Sequence, residues 1–302
     1  MKTLFTFILS LLVVTAFAQQ RHGSTSKIYP GPALNPSISV NGLGIGLTPG
    51  DLVASLVGAG ITYSNVSFTG IQGGTATASA GSFASGMTIF GIETGVVISS
   101  GRVNNAPGPN VSESISAANG LPGDANLEAV FGCCTYDACV LEFDFIPTAD
   151  QMYVQYVLGS EEYNEYINYA DCFAFFLDGV NIALIPGSNP VLPVSVGNVN
   201  LGSYASLYNN NDIGAGHPFD LEADGFTDVF TANATVTPNV THHIKLVIAD
   251  KTDDVYDSWV FLKGASFSVV NPNIPTLSQW GLILLGGVLL AFGTFYILKM
   301  KG

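Results

Sequence analysis

Charge is what this sequence has least of. Only 11% of its 302 residues are charged, and nine Lys or Arg stand against 23 Asp or Glu. The composition is not the Ala-, Glu-, Lys-, Leu- and Arg-rich one of a coiled coil or helical bundle, which excludes both. A formal charge of −14 disfavours a nucleic-acid partner. There is no Gly-x-Ser-x-Gly elbow for a hydrolase nucleophile. There is no Cys-x-x-Cys pair, and the four histidines (His22, His217, His242, His243) lack zinc-type spacing. His242 and His243 fall at the start of a strand and read as ordinary surface. An EF-hand loop, a Gly-Gly-x-Gly-x-Asp calcium repeat and any repeat of 20–50 residues are also missing.

What is abundant is glycine (34), proline (15) and apolar residues (48%), the last weighted toward Val, Ile, Phe and Tyr. That much apolar content fills a core and excludes disorder. The length fits one large β domain or two small ones. All 23 acidic residues lie between Asp51 and Asp257, where the nearest basic residues are Arg102, Lys245 and Lys251. An acidic, lysine-poor surface suits either plain solubility or an exported protein that meets divalent cations or neutral ligands such as glycans.

The N-terminus has Lys2, an apolar run from Leu4 to Phe17 and Ala16-Phe17-Ala18, which reads as a signal peptide over 1–18 cleaved after Ala18. A polar leader (19–47) follows. Near the other end, Trp280 to Leu298 holds 19 residues without a charge, about 28 Å of helix at 1.5 Å per residue and enough to span a bilayer. Trp280 and Tyr296 suit its two interfaces. Lys299 and Lys301 predict a cytoplasmic tail (299–302), with the body outside.

Between these ends the chain reads as short strands separated by glycine-rich turns. Thr48-Pro49-Gly50-Asp51 starts a short helix over Leu52–Val57. Strands are predicted at 61–69, 75–80, 88–90, 95–99, 138–145, 151–158, 172–178, 181–185, 191–197, 227–235, 241–249 and 257–269. Tyr208 to Gly216 reads as a long loop. Val140, Glu142 and Asp144 alternate with Leu141, Phe143 and Phe145, as in an antiparallel sheet with one wet face. The expected fold is all-β: an antiparallel β-sandwich of jelly-roll type with one short helix, plus a C-terminal transmembrane helix. Tyr136-Asp137-Ala138-Cys139-Val140 is echoed by Tyr256-Asp257-Ser258-Trp259-Val260, which reads either as paired strands of a jelly roll or as chance similarity. Both aspartates precede strands, where their carboxylates also read as caps of turn amides.

Two resemblances sharpen this outline. Ile274-Pro275-Thr276-Leu277, Trp280, the apolar helix and the basic end resemble the IPTL-CTERM class of bacterial sorting tails, so residues 271–279 read as motif and linker. That implies an exported protein handled by signal peptidase and a dedicated sorting enzyme. The central segments Gly91 to Gly101, Gly123 to Leu127, Thr135-Tyr136-Asp137, Leu141 to Phe145, Gly159 to Tyr163, Phe173 to Gly179, Ala183 to Gly187, Asp224 to Thr227 and Tyr256-Asp257-Ser258 resemble the choice-of-anchor L domain over about 48–270. The resemblance implies location and architecture and supplies no activity.

Acid clusters are the candidate sites, and no residue stands out as catalytic. Glu161, Glu162 and Asp171 form one; Asp250, Asp253, Asp254 and Asp257 form the other. Both read either as Ca²⁺ ligands, since Ca²⁺ takes 6–8 oxygens, or as solvated turn carboxylates. Ca²⁺ is the only cofactor they suggest. Glu161 and Glu162 are neighbours on opposite faces of a strand, so they do not form a glycosidase pair by themselves. Tyr163, Tyr166 and Tyr169 read either as a lip for a glycan or protein ligand or as packing at the end of a sandwich. Cys139 and Cys172 start two strands that could be neighbours, and a disulfide between them is the favoured pairing over free buried thiols. The leading function is non-catalytic binding or adhesion at the cell surface. The alternatives are a carboxylate-dependent polysaccharide enzyme and a structural envelope or matrix component.

Overall fold

A computed structural model describes residues 37–44, 46–169, 171–272 and 286–289. The predicted signal peptide, most of the leader and the motif residues Ile274, Pro275, Thr276, Leu277 and Trp280 lie outside the described residues. Of the predicted membrane span only 286–289 is described, and it is helical. Among the described residues no helix is long and apolar enough to cross a membrane.

The elements in chain order are β1 (Ser39–Gly42), α1 (Pro49–Leu56), β2 (Ile61–Thr69), β3 (Ala80–Ala84), α2 (Met87–Phe90), β4 (Thr94–Ser99), α3 (Ala125–Phe131) and β5 (Thr135–Pro147). Then come β6 (Gln151–Ser160), β7 (Cys172–Leu177), β8 (Val180–Asn181), β9 (Tyr208–Asn210), β10 (Gly225–Thr227), β11 (Phe230–Thr235), β12 (His242–Lys251) and β13 (Ser258–Lys263). They build two antiparallel sheets. The first runs β1-β3-β4-β13-β6-β10-β9, with β11 also paired to β6; the second runs β2-β5-β12-β7-β8.

The alternation in β5 holds from Leu141 to Phe145, while Val140, predicted on the wet face, is buried. Leu141, Phe143 and Phe145 are fully buried, while Glu142 and Asp144 stay on the outer face and meet His243. In β6, Met152, Val154, Tyr156 and Leu158 face inward. The inner faces of both sheets share one core: Tyr156 of β6 packs edge-on to Phe173 and Phe175 of β7 at 5.4 and 4.8 Å, and Phe267 meets Phe143 and Phe145 of β5. Each buried side chain of this size stabilises the fold by roughly 1.5–3 kcal/mol.

Helix α1 forms where Thr48 announces it. The Thr48 hydroxyl accepts from Asp51 N at 3.2 Å and Asp51 accepts from Thr48 N at 2.9 Å, a capping box that satisfies amides no helical carbonyl can reach. Leu52, Val53 and Leu56 then face the core.

The structure corrects several expectations. Between residues 37 and 272 the described chain holds three α-helices where one was predicted. The three residues Thr88, Ile89 and Phe90 are too few to carry a period, and they close a one-turn helix that Gly91 ends at φ 83°. Helix α3 is capped by Asp124, which accepts from Asn126 N and Leu127 N, and it lays Leu127 and Phe131 over Val140, Ala174 and Val247 on the outer face of the second sheet. The strand predicted at 75–80 begins only at Ala80, because Thr77 N and Ala78 N turn back onto Gly74 O. Residues 191–197 make isolated bridges from Pro193 and Ser195, since Pro193 has no amide to continue a ladder. The strand predicted at 181–185 is reduced to β8, and the loop predicted at 208–216 opens with β9.

Candidate functional site

Both sheets end in carboxylates. In the first sheet Ser160 pairs with Gly225 on one side and Ser258 on the other. One step further, Glu161 stands between Asp224 and Asp257, and Glu161 N donates to Asp257 O at 3.1 Å. In the second sheet Ala249 pairs with Cys172, so one step further Asp250 faces Asp171; on its other side Asp250 pairs with Tyr136, beside Asp137. Ser100 joins the two ends: its hydroxyl lies 3.4 Å from Asp171 Oδ2 and accepts from Ser258 N at 3.0 Å.

Antiparallel pairing thus merges the two sequence clusters. Glu161, Glu162, Asp171, Asp250 and Asp257 are all within 2% of full burial. Asp253 is half-buried and acts on Glu162, whereas Asp254 is exposed on the turn. The structure adds buried Glu222 and Asp224, which sequence reasoning passed over although they stand in the run Asp220-Leu221-Glu222-Ala223-Asp224, and Asp137, which it read only as a turn cap.

An irregular strap, residues 110–121, crosses this end and hands its amides to the acids. Val111 N reaches Glu222 Oε2 (3.2 Å), Ile115 N reaches Glu161 Oε2 (2.9 Å) and Ala117 N reaches Asp257 Oδ1 (2.8 Å). Asn119 N and Leu121 N both reach Asp137, each at 2.6 Å. The Asp137 and Asp257 echo is therefore a pair of amide caps. The strands that carry it, β5 and β13, belong to different sheets and do not pair.

Even with these bonds the cluster is under-compensated. Burial, with Asp224 next in effect, pushes the Glu161 carboxyl up to about 10. Burial and then Asp253 and Asp250 raise Glu162 to about 8; burial raises Asp224 to about 7 and Asp257 to about 6. Asp171 and Asp250 are driven well above the usual carboxylate range by burial and by facing acids. Five buried carboxylate oxygens among the described residues have no hydrogen-bond partner: Glu161 Oε1, both of Glu162, Asp224 Oδ2 and Asp250 Oδ1. A buried polar atom without a partner costs about 1–3 kcal/mol, more if charged. Among the described residues no three His, Cys, Asp or Glu side chains already converge as the ligand set of one metal ion. A hard cation here would have to complete its shell with backbone carbonyls and water, as Ca²⁺ does.

The aromatic lip is smaller than its sequence suggests. Tyr163 is fully buried, with its ring 4.6 Å from that of Tyr208. Tyr166 is exposed and stacks on Tyr256 at 4.8 Å and 16°, and Tyr169 is exposed beyond it.

The predicted Cys139–Cys172 disulfide is not made; all four cysteines are free. Strand β12 lies between β5 and β7, which separates the two cysteines by two strand spacings, about 9.5 Å. They also face opposite ways, Cys139 into the main core and Cys172 under α3. Burial raises the Cys139 thiol to about 11, while Cys133 and Cys134 reach solvent. Brief alkylation of the native chain should therefore add two labels, at Cys133 and Cys134, and denaturation should raise this to four. Labelling of Cys139 in the native chain, read by peptide mass, would contradict the packing.

An all-β domain with a strapped acidic end is the class that fold and site define. The family model for the choice-of-anchor L domain matches residues 43–268, and the chain belongs to that family. The IPTL-CTERM motif matches residues 274–294. Together they mark an exported, surface-anchored protein that a sorting enzyme processes, and they point to a non-enzymatic role. No curated protein and no solved structure matches the chain.

Proposed function

We propose that this is a non-catalytic binding or adhesion protein of the cell surface, in which Ca²⁺ ties together the acidic end of a jelly-roll sandwich. The observation that carries the calcium reading is Glu162. Its side chain is 1% exposed, both of its oxygens lack a partner, and Asp250 and Asp171 stand beside it. Glu162 would hold the ion with its two free oxygens, and Asp171, Asp250 and Asp253 would draw in toward it. Backbone carbonyls and water would complete the shell, since the acids do not converge on one point without the ion. The donors are oxygens alone, which favours Ca²⁺ over zinc or copper. The ion would replace a repulsion between buried acids with an attraction to each of them.

Burial also argues for binding over catalysis. Two carboxyls that cleave a glycosidic bond must flank the sugar, and here the acids lie beneath the strap. The Tyr166–Tyr256 stack and Tyr169, exposed beside this end, are the surface offered to a sugar ring or a protein. The apolar run 280–298 would anchor the body outside the membrane, with Lys299 and Lys301 on the cytoplasmic side until the sorting enzyme acts.

The test is a thermal melt of the full chain in detergent, in EDTA and again in millimolar Ca²⁺. At about 100 times its dissociation constant a ligand adds roughly 2.7 kcal/mol, so the melting temperature should rise clearly. An unchanged melt, with no metal in the purified protein, overturns the calcium reading.

A further inference from the structure

We propose that Glu161 and Asp224 form a second divalent-cation site beneath the strap, separate from the one around Glu162. The proposal rests on the reading of this end as cation-binding, but on different residues. Glu161 and Asp224 flank the ends of the neighbouring strands β6 and β10, one step beyond the Ser160–Gly225 pair. Antiparallel spacing there would put paired Cβ atoms about 5 Å apart, and Asp224 is the strongest charge acting on Glu161. Each spends one oxygen on the strap: Glu161 Oε2 accepts from Ile115 N at 2.9 Å, and Asp224 Oδ1 accepts from Asn110 Nδ2 at 2.7 Å. Each keeps its other oxygen, Oε1 and Oδ2, buried and without a partner. The strap thus orients both carboxylates and leaves two free oxygens on adjacent strands.

Among the described residues no Lys or Arg is in place to neutralise the pair. Four Lys or Arg fall among the described residues. Lys245 is bound to Asp124 and Asn126, and Lys263 to Gln155. Lys251 acts on Glu162, and Arg102 on Asp257. The strongest charges acting on Asp224 are Asp212, Glu165 and Glu113, all of the same sign. Buried carboxylates without a counter-charge are held by a cation or by protons. All-oxygen donors select Ca²⁺ or Mg²⁺, and the mix of side-chain and backbone oxygens suits the larger, more permissive Ca²⁺.

Equilibrium dialysis of the full chain in detergent against radioactive Ca²⁺ at pH 7.5 counts the ions. Two per wild-type chain are expected, falling to one in Glu161→Gln and in Asp224→Asn, and also to one in Glu162→Gln. In EDTA at pH 7.5, Glu161→Gln should melt no lower than wild type, because the buried carboxyl must take up a proton on folding whereas the amide needs none and can still accept from Ile115 N; a merely structural carboxylate would lower the melt. One ion in wild type, lost in Glu162→Gln and kept in Glu161→Gln, overturns this site and leaves the first standing. Two ions retained by both Glu161→Gln and Asp224→Asn also overturn it. No bound ion in wild type means that protons fill the pair, and both readings fall.

Discussion

In EDTA the folded chain should lose stability steadily as pH rises from 5 to 9, the reverse of ordinary acid denaturation. Burial raises Asp257 to about 6, Asp224 to about 7, Glu162 to about 8 and Glu161 to about 10, so in this range the folded state holds protons that the unfolded chain releases. A raised carboxyl contributes its stability fully below the unfolded value, near 4, and loses it as pH climbs through the folded value. Glu161 alone, protonated when folded and ionised when unfolded across these four pH units, accounts for about 5 kcal/mol at about 1.4 kcal/mol per unit. The summed loss between pH 5 and 9 should be at least that large, comparable with the roughly 5–15 kcal/mol that holds a domain together. Below pH 4 the opposite sign takes over, since hydrogen bonds lower Asp51, Asp144 and Asp178 and their contribution disappears on protonation. Those groups are largely exposed and their effect is small. Ca²⁺ competes with protons for the buried oxygens, so its stabilisation should grow with pH and flatten the decline. Urea titrations at pH 5, 7 and 9, each with EDTA and with Ca²⁺, check both slopes. A flat or rising profile in EDTA would show that the acids are not held as the structure places them.

Much of this fold could be read before it was seen, where one residue pattern admits one geometry. The alternation from Leu141 to Phe145 defines a strand with a wet face, and Thr48 with Asp51 defines a helix start. Where a pattern is short it misleads: Met87–Phe90 is a helix of four residues that reads equally well as a strand. Helix α3 carried its signals openly, Asp124 before it and Gly132 at φ 73° after it, but its seven residues span too few turns to show a face. The acidic site was half legible. Glu161-Glu162 and Asp250 to Asp257 are dense enough to notice, but their union comes from pairing between strands far apart in the chain. Glu222 and Asp224 alternate with Asp220 in a short acidic run of their own, and together with Asp137 they join the cluster only through register. The strap has no period at all, since its shape comes from the carboxylates that receive its amides.

That dependence predicts a second large effect, at a residue with no chemistry of its own. Gly101→Ala should destabilise the chain by about 3 kcal/mol and weaken Ca²⁺ binding together with it. A methyl group on Gly101 would sit 1.9 Å from Asp257 Cγ and Oδ2. Asp257 is 2% exposed on a short side chain, so its carboxylate cannot step aside cheaply. Displacing it breaks the 2.8 Å bond from Ala117 N and the 3.4 Å contact from Arg102 N, which unfastens the strap between Ile115 and Asn119. The loss combines overpacking with buried groups left unpaired, each costing roughly 1–3 kcal/mol. Gly50→Ala is the control. Its added methyl meets nothing nearer than Thr48 Oγ1 at 3.6 Å and lies in the first turn of α1, where alanine should stabilise by a few tenths of a kcal/mol. Urea titration of both variants in Ca²⁺ and in EDTA separates the two parts of the effect. If Gly101→Ala stays within about 0.5 kcal/mol of wild type, Asp257 is free to move and the strap is not fastened through it. If it falls as expected in both conditions while Gly50→Ala does not, the small residue at 101 is what lets a carboxylate from one strand clamp a loop across two sheets.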